Sequence, residues 1–390
     1  MISYPDVSQN ANIYTDLAME FVKNKHQVYV AAPNNSKRQT SLKNEGGSNV
    51  LRIKTLKLFN VNPISKGFAN VLLPHQFKKA IKHYFHGIKF DVVISPTPPI
   101  SFTKLVSYIK KRDNAKSYLI LRDIFPQNAK DLGLIKNPLI FNYFRRQEKL
   151  CYKISDHIGC MSPGNIDYVM KHNPEADKSK LHSLPNWLDV KEYKVSDVDY
   201  KAKYGLKDKF IAIFGGNIGV PQKLDFLLEL AKEFLADQNI VFLIIGNGTE
   251  KNRIKTIVKK QNLTNVIVRD RLPRKDYEEL VKQCDIGLVN LSDKFTIPNF
   301  PSRTLAYFQA KLPVLAAIDK NTDYGKILDE AQAGLWSVTG DLKPYKDNFH
   351  KLYGDLSYRK KLGENGYQYL KKNLSAEKTY TRIINKLKDA

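Results

Sequence analysis

The sequence predicts an α/β chain of two domains, each built on a parallel sheet covered by helices on both faces. Three observations predict it. Short apolar runs alternate with amphipathic stretches nearly throughout, that alternation breaks once, and 390 residues exceed what one ordinary core fills. Strands are expected at Val28–Ala32, Val92–Ser95, Ser117–Leu121 and His157–Cys160, then at Phe210–Phe214, Ile240–Ile245, Val266–Val268, Ile286–Val289 and Val314–Ala317. Between them, Ile13–Lys23, Leu224–Phe234, Asp276–Cys284 and Ser302–Ala310 have helical periodicity. Strands alternating with helices in this way imply parallel sheets.

The break falls at Leu184–Asp208, a polar stretch without a long apolar run. It divides the chain into a Rossmann-like domain over 1–186, a linker over 187–208, a second Rossmann-like domain over 209–373 and a terminal segment over 374–390. The helix of that segment, Ala376–Lys388, follows the second sheet and is free to cross back to the first domain. No internal repeat supports a solenoid.

Hydrophobic residues make up 42% of the chain and aromatics 11%, which is ample for packed interiors. No apolar run approaches the ~20 residues of a membrane-spanning helix. The N-terminal residues carry neither a basic nor an apolar leader region, so no secretory signal is read. Cys151, Cys160 and Cys284 lack metal-type spacing and suit buried thiols in a reducing cytoplasm. The net charge is +24, and the first 190 residues hold 28 Lys/Arg against 14 Asp/Glu. Such a balance seeks nucleic acid, anionic headgroups or phosphorylated substrates.

In open α/β sheets, ligands bind beyond the carboxyl ends of the strands. Strand Phe210–Phe214 runs into Gly215-Gly216-Asn217-Ile218-Gly219, with Gln222 and Lys223 just before a helix. Strand Ile240–Ile245 runs into Gly246-Asn247-Gly248, followed by Lys251 and Arg253. Glycines there let a phosphate approach the backbone, although a plain tight turn uses the same residues. In Thr296–Arg303, Pro301 presets a helix entry, Ser302 can cap it and Arg303 sits in the first turn. A cation there opposes the helix dipole and makes sense beside an anion such as a diphosphate; the other reading is an arginine reaching into solvent.

The order GNIGxxQ, FLIIGNG, LPRxDYEELVxxCDIGLV and PSRTLxYFQAxxPVLA resembles the donor domain of family 4 glycosyltransferases. The resemblance runs from about Tyr4 to Gly340 and is closest to the bacterial O-antigen and capsule subgroup that includes L-N-acetylfucosamine transferases. It implies a GT-B fold, with two Rossmann-like domains whose parallel sheets face a central cleft. It also implies stereochemical retention, a UDP-sugar donor and no metal. Donor contacts are implied for Gly216, Asn217, Gly219, Gln222 and Lys223, and near Gly246, Asn247, Gly248, Lys251 and Leu272. Phosphate contacts are implied for Pro301, Ser302 and Arg303, with Arg303 also catalytic. The chain departs from the family at Ala306, where a ribose-binding glutamate is usual, and at Pro298, where the paired glutamate is missing.

In the first half, strand Ser117–Leu121 delivers Arg122 and Asp123, followed by Ile124-Phe125-Pro126. Asp123 at a strand end could orient an acceptor hydroxyl or act as a base; equally, it could pair with Arg122. The subgroup's D-hydrophobic-W-P-E/D motif matches here, with Phe125 for Trp and Gln127 for the acid. Ser162-Pro163-Gly164 matches the family's SPG turn, and Asn186 its structural PN turn. Tyr4-Pro5-Asp6 and Ser8–Asn12 resemble the loop after the first strand, where Gln9 and Asn10 replace two glycines. Gln9, Asn10, Asn12, Arg122 and Asp123 are the implied acceptor contacts. Only Met1-Ile2-Ser3 precede that loop, so the first strand is expected to be short or the start truncated.

The stretch Val71–Phe90 sets Lys78, Lys79, Lys82, His83 and His86 around Phe77, Ile81 and Phe85 at helical spacing. It suits an anionic membrane surface or, alternatively, a solvated helix face. The resemblance implies an undecaprenyl-diphosphate-linked or polysaccharide acceptor, met by a cytoplasmic protein peripheral on the inner face of the cell membrane. A catalytically silent GT-B-like subunit that binds a partner enzyme or polysaccharide is the second reading, favoured by Ala306, Gln127 and the non-glycine first loop. Nucleic-acid binding rests on charge alone, with no supporting motif. An NAD fingerprint is absent as well.

Overall fold

In the computed structural model, residues 4–5, 11–34, 39–56, 63–194 and 196–389 are described. They form two compact units, Met1–Asp189 with Ala376–Ala390, and Val190–Ser375.

The first unit contains β1 (Tyr29–Asn34), β2 (Ser41–Glu45), β3 (Ser48–Lys54), β4 (Val92–Thr97), β5 (Lys116–Leu121), β6 (His157–Cys160) and β7 (Leu181–Ser183). They make a three-stranded sheet β1-β3-β2 and a four-stranded parallel sheet β4-β5-β6-β7. The antiparallel pair β2–β3 turns through Gly46 and Gly47, both at positive φ. A Gly-Gly dipeptide between two strand-like runs signals such a hairpin. The helix Pro63–Tyr84 presents Leu73, Phe77 and Ile81 to a core with Leu51, Phe102 and Leu105. The apolar side of the expected surface helix, which Phe85 continues, is therefore spent on the interior. Lys78 and Lys82 lie over the Tyr108 ring at 4.4 and 5.3 Å. A cavity of about 130 Å³ lies between β1 and β4, lined by Tyr29, Val93, Ile94, Phe77 and Phe90 among others. Met1–Ser3, the expected short first strand, lie outside the described residues.

The second unit contains β8 (Phe210–Asn217), β9 (Ile240–Asn247), β10 (Val266–Arg269), β11 (Ile286–Asn290), β12 (Val314–Ile318) and β13 (Gly334–Val338). The order β10-β9-β8-β11-β12-β13, parallel throughout, is the doubly wound dinucleotide-fold order. β9 and β12 are buried nearly end to end, as continuous apolar runs such as IVFLII and VLAAI require when helices cover both faces. The strand order reverses between β8 and β11, which pair only at Ala212–Ile286 and Ile213–Gly287.

The division between units falls at Asp189/Val190, within the stretch expected to be linker. Trp187 is fully buried and donates its ring N–H to the Ile13 carbonyl at 2.5 Å, while Tyr200 and Leu206 are buried in the second unit. After Ser375 the chain returns to the first unit, where the helix Ala376–Lys388 buries Ile383 with Leu17, Tyr118 and Trp187. Among the described residues, no helix is long and apolar enough to cross a membrane.

His182 accepts from or donates to the Tyr118 hydroxyl through Nε2 at 2.6 Å. Burial, then the nearby Lys386, His157 and Arg382, push its pKa down to about 4, although a backbone hydrogen bond at Lys180 opposes this. Between pH 4 and the ordinary value of about 6.5, the unfolded chain therefore binds the proton that the folded chain refuses. Stability should fall as pH drops through that window. Urea midpoints measured from pH 7 to 4 should show the decline, and His182→Asn should flatten it.

Candidate functional site

The second unit's candidates gather where β8 and β11 part. Tyr307, on the helix Arg303–Gln309, is fully buried in the seam. Its hydroxyl accepts from the Gly215 N–H at 3.1 Å and shares its own proton between the carbonyls of Ile213 and Leu288, at 3.1 and 3.2 Å. Gly287 makes room for the ring, because a Cβ there would lie 2.5 Å from it.

One turn earlier on that helix, the Arg303 guanidinium lies 3.8 Å from the centroid of the Phe214 ring. It faces Gly216, whose backbone sits at φ +121° and where an added Cβ would have no atom nearer than Arg303 Nη2, at 3.9 Å. That conformation favours glycine, and the space beside it is open. Arg303 Nη1 is buried without a hydrogen-bond partner among the described residues. Burial lowers its pKa; Tyr307, Tyr277 and Tyr324 act in the opposite direction. A charged donor atom buried without a partner is costly, and an anion at this position would offset that cost.

The other basic candidates are already neutralised. Lys223 pairs with Asp293 at 2.7 Å, and Lys251 with the Asp270 carboxylate and with Asn247 Oδ1 at 2.9 Å. Arg253 forms a fork with Asp225, at 2.6 and 2.7 Å, and also meets Glu250. Asn217, Gly219 and Gln222 lock one another: Gln222 Oε1 accepts from Asn217 Nδ2 and from the Gly219 N–H, both at 3.1 Å.

Two glycines have reasons other than ligand approach. A Cβ on Gly246 would lie 1.7 Å from the Gly216 carbonyl oxygen, and one on Gly248 would lie 2.1 Å from that of Ile218. Those glycines let the two loops pack on each other. Ser302 makes no cap bond, because its backbone is already helical (φ −63°, ψ −22°) and its side chain is exposed. Leu272 and Pro301 are half-buried, as is Ala306, while Pro298 is buried.

In the first unit, Asn12 Oδ1 accepts from the N–H groups of Tyr14 and Thr15, so this candidate caps the helix Ile13–Lys23. The Arg122 guanidinium lies 5.9 Å from the Tyr14 ring, and Thr97 Oγ1 accepts from the Arg122 N–H at 3.3 Å. Arg122 and Asp123 thus meet Tyr14 and Thr97 just beyond β4 and β5. Burial pushes the Asp123 carboxyl above its ordinary value, and the Arg122 charge opposes this. Gln9 and Asn10 lie outside the described residues. Gln127 donates to Asp131 at 2.7 Å, while Ser162 caps the helix Pro163–His172.

Residues 197–369 match the family described as "Glycosyl transferases group 1". The second unit is a group 1 glycosyltransferase domain. The chain is 24% identical over 275 residues to the probable glycosyltransferase WbjE of Pseudomonas aeruginosa, covering 70% of this chain and 68% of that one. It is 31% identical over 207 residues to the Escherichia coli protein named colanic acid biosynthesis glycosyl transferase WcaI, covering 51% and 49%. Among solved structures it resembles sucrose-phosphate synthase from Thermosynechococcus elongatus, with a TM-score of 0.78, 13% identity and 96% and 92% coverage. It also resembles Anabaena HepE in complex with UDP-glucose, with a TM-score of 0.68, 12% identity and 99% and 98% coverage. The fold is GT-B.

Tyr307 and Tyr277 were not singled out by motif. The signal for Tyr307 is spacing: it follows Arg303 by four residues and so shares its helix face. Tyr307→Phe should leave three backbone groups unmet in the seam of the group 1 domain and lower stability by about 1–3 kcal/mol, read by chemical denaturation.

Proposed function

We propose that the protein is a retaining glycosyltransferase that moves a sugar from a UDP-sugar to a lipid-linked or polysaccharide acceptor during bacterial surface-polysaccharide assembly at the cytoplasmic face of the membrane. The observation that carries this reading is the half-buried Arg303, whose Nη1 is buried and unpaired among the described residues, beside the open side of Gly216. A diphosphate fits there as the missing anion. The HepE complex with UDP-glucose and the name of WcaI support a nucleotide-sugar donor and a polysaccharide product. The subgroup resemblance points to an N-acetylated deoxyhexosamine such as N-acetylfucosamine.

In the proposed reaction the acceptor hydroxyl oxygen bonds to the sugar's anomeric carbon as the bond from that carbon to the diphosphate oxygen breaks. The electron pair leaves with UDP, and the hydroxyl proton passes to the leaving phosphate. Arg303 stabilises the charge growing on that phosphate. Asp123, at the end of β5, orients the acceptor hydroxyl, because the leaving phosphate takes its proton.

A second reading, a subunit that binds without turnover, is favoured by Ala306 on the helix that carries Arg303. UDP should bind saturably in calorimetry, ahead of GDP, dTDP and NAD. Arg303→Ala should weaken binding by about 10- to 100-fold, the worth of one charged hydrogen-bonding group. Absence of UDP binding by a folded sample would overturn the proposal, and turnover of any nucleotide sugar would remove the second reading.

A further inference from the structure

Among the described residues of the first unit, a run of exposed large apolar side chains follows the Asp123 loop in sequence. Leu134 and Leu139 are 72% and 77% exposed, and Tyr143 and Ile140 are 55% and 50% exposed. Leu139, Tyr143 and Leu150 recur at i, i+4 and i+11 along the helix Pro138–Ile154, so they share one face. The opposite face is satisfied internally: Glu148, Cys151 and Tyr152 are buried, and Tyr152 donates to Glu148 at 2.8 Å. Four large apolar side chains at least half exposed within ten residues are unusual for a soluble surface.

Between Asp131, bonded by Gln127, and Glu148, paired with Arg145, the charges along the chain have one sign. From Leu132 to Gln147 the sequence holds Lys136, Arg145 and Arg146 and no acidic residue. Arg145 is spent on Glu148 at 2.7 Å, whereas Lys136 and Arg146 are exposed. On the other side of the patch, Lys130 lies over the Phe141 ring at 4.6 Å. Exposed leucine and tyrosine rimmed by lysine and arginine match a bilayer interface with anionic headgroups. On the helix Pro63–Tyr84, Leu73, Phe77 and Ile81 are in the core, and Val71 is its one exposed large apolar side chain among the described residues.

We infer that Leu134, Leu139, Ile140 and Tyr143, with Lys136 and Arg146, form the face that docks on an anionic lipid surface. The docked face joins the candidate acceptor side: Phe144 packs edge-on against Phe125 at 5.0 Å, two residues beyond Asp123. Docking would hold that loop at headgroup level, where a lipid-linked acceptor presents its sugar. The inference rests on the lipid-linked acceptor of the proposed function.

The test is sedimentation of the full chain with phosphatidylglycerol/phosphatidylcholine vesicles and with phosphatidylcholine alone, at low and high salt. Binding to the anionic vesicles, weakened by salt, is expected. The Leu139→Glu/Tyr143→Glu variant should partition at least ~10-fold less. Lys78→Glu/Lys82→Glu, on the other helix, should change partition less than ~2-fold. A second variant, Lys136→Glu/Arg146→Glu, alters only exposed charges and should reproduce the loss if the apolar variant fails to fold. Equal binding by both patch variants, or none by the wild type, would overturn the inference. So would a wild-type dimer in analytical ultracentrifugation that the variants abolish without any vesicle binding. Calorimetry with UDP on the same samples separates the two ideas: lost UDP binding with intact docking counts against the transferase alone.

Discussion

Strands β8 and β11 part after Gly287, and the backbone groups stranded at that seam are met by one phenol. The Tyr307 hydroxyl serves the Gly215 N–H and the carbonyls of Ile213 and Leu288. Buried backbone polar groups must find partners, so the seam can stay open only because this ring enters it. The ring enters only because residue 287 has no side chain. The consequence reaches one helical turn away. Tyr307 fixes the roll of the helix Arg303–Gln309, and that roll lays Arg303 against Phe214 and opposite Gly216. The position of the charge follows from the packing of an uncharged neighbour.

The same domain sorts its cations by what surrounds them. Lys223, Lys251 and Arg253 are near loop ends, yet each has a carboxylate from another element: Asp293, Asp270 and Asp225. Those ions are locally balanced and would have to break a pair to hold a phosphate. Arg303 has aromatic neighbours instead. A ring face attracts a cation only modestly, which lowers the cost of burying it without satisfying its donors. An incoming anion therefore gains nearly the full strength of the charged hydrogen bonds in a poorly hydrated site.

Much of the architecture was legible because burial leaves a period in the sequence. All nine expected strands are present, generally lengthened by one to three residues, since ladders continue past the last apolar position. The hairpin β2–β3 was missed because SLKNE and SNVLRIK are too polar to read as core strands, although Gly46-Gly47 marks their turn. Short strands such as β7 leave too few residues for any period. The candidate site was legible in place more than in cause. Gly216 is open as a ligand-approach glycine should be, whereas Gly246 and Gly248 answer to backbone atoms at Gly216 and Ile218. Sequence order cannot distinguish these cases. Both give a glycine after a strand, and the deciding atom belongs to the neighbouring strand's loop. The pairing of Lys251 with Asp270, 19 residues away, is hidden for the same reason.

The helices of the first unit show how composition misleads about surfaces. Pro63–Tyr84 and Pro138–Ile154 are both basic and both carry aromatic and aliphatic residues at helical spacing. What separates them is where the apolar residues fall relative to the sheet. In the first helix Leu73, Phe77 and Ile81 meet Leu51 and Phe102, and its described exposed side chains are lysines, histidines and Val71; in the second, the inner side is taken by Glu148, Cys151 and Tyr152. Burying Glu148 on the inner face requires Arg145 and Tyr152 beside it. With that polar cluster inside, Leu139 and Tyr143 have no interior to enter. Glu148 buried on the inner face and Leu139 and Tyr143 exposed on the outer one invert the usual arrangement at those positions, while Arg146 and Lys149 keep charge in solvent beside them.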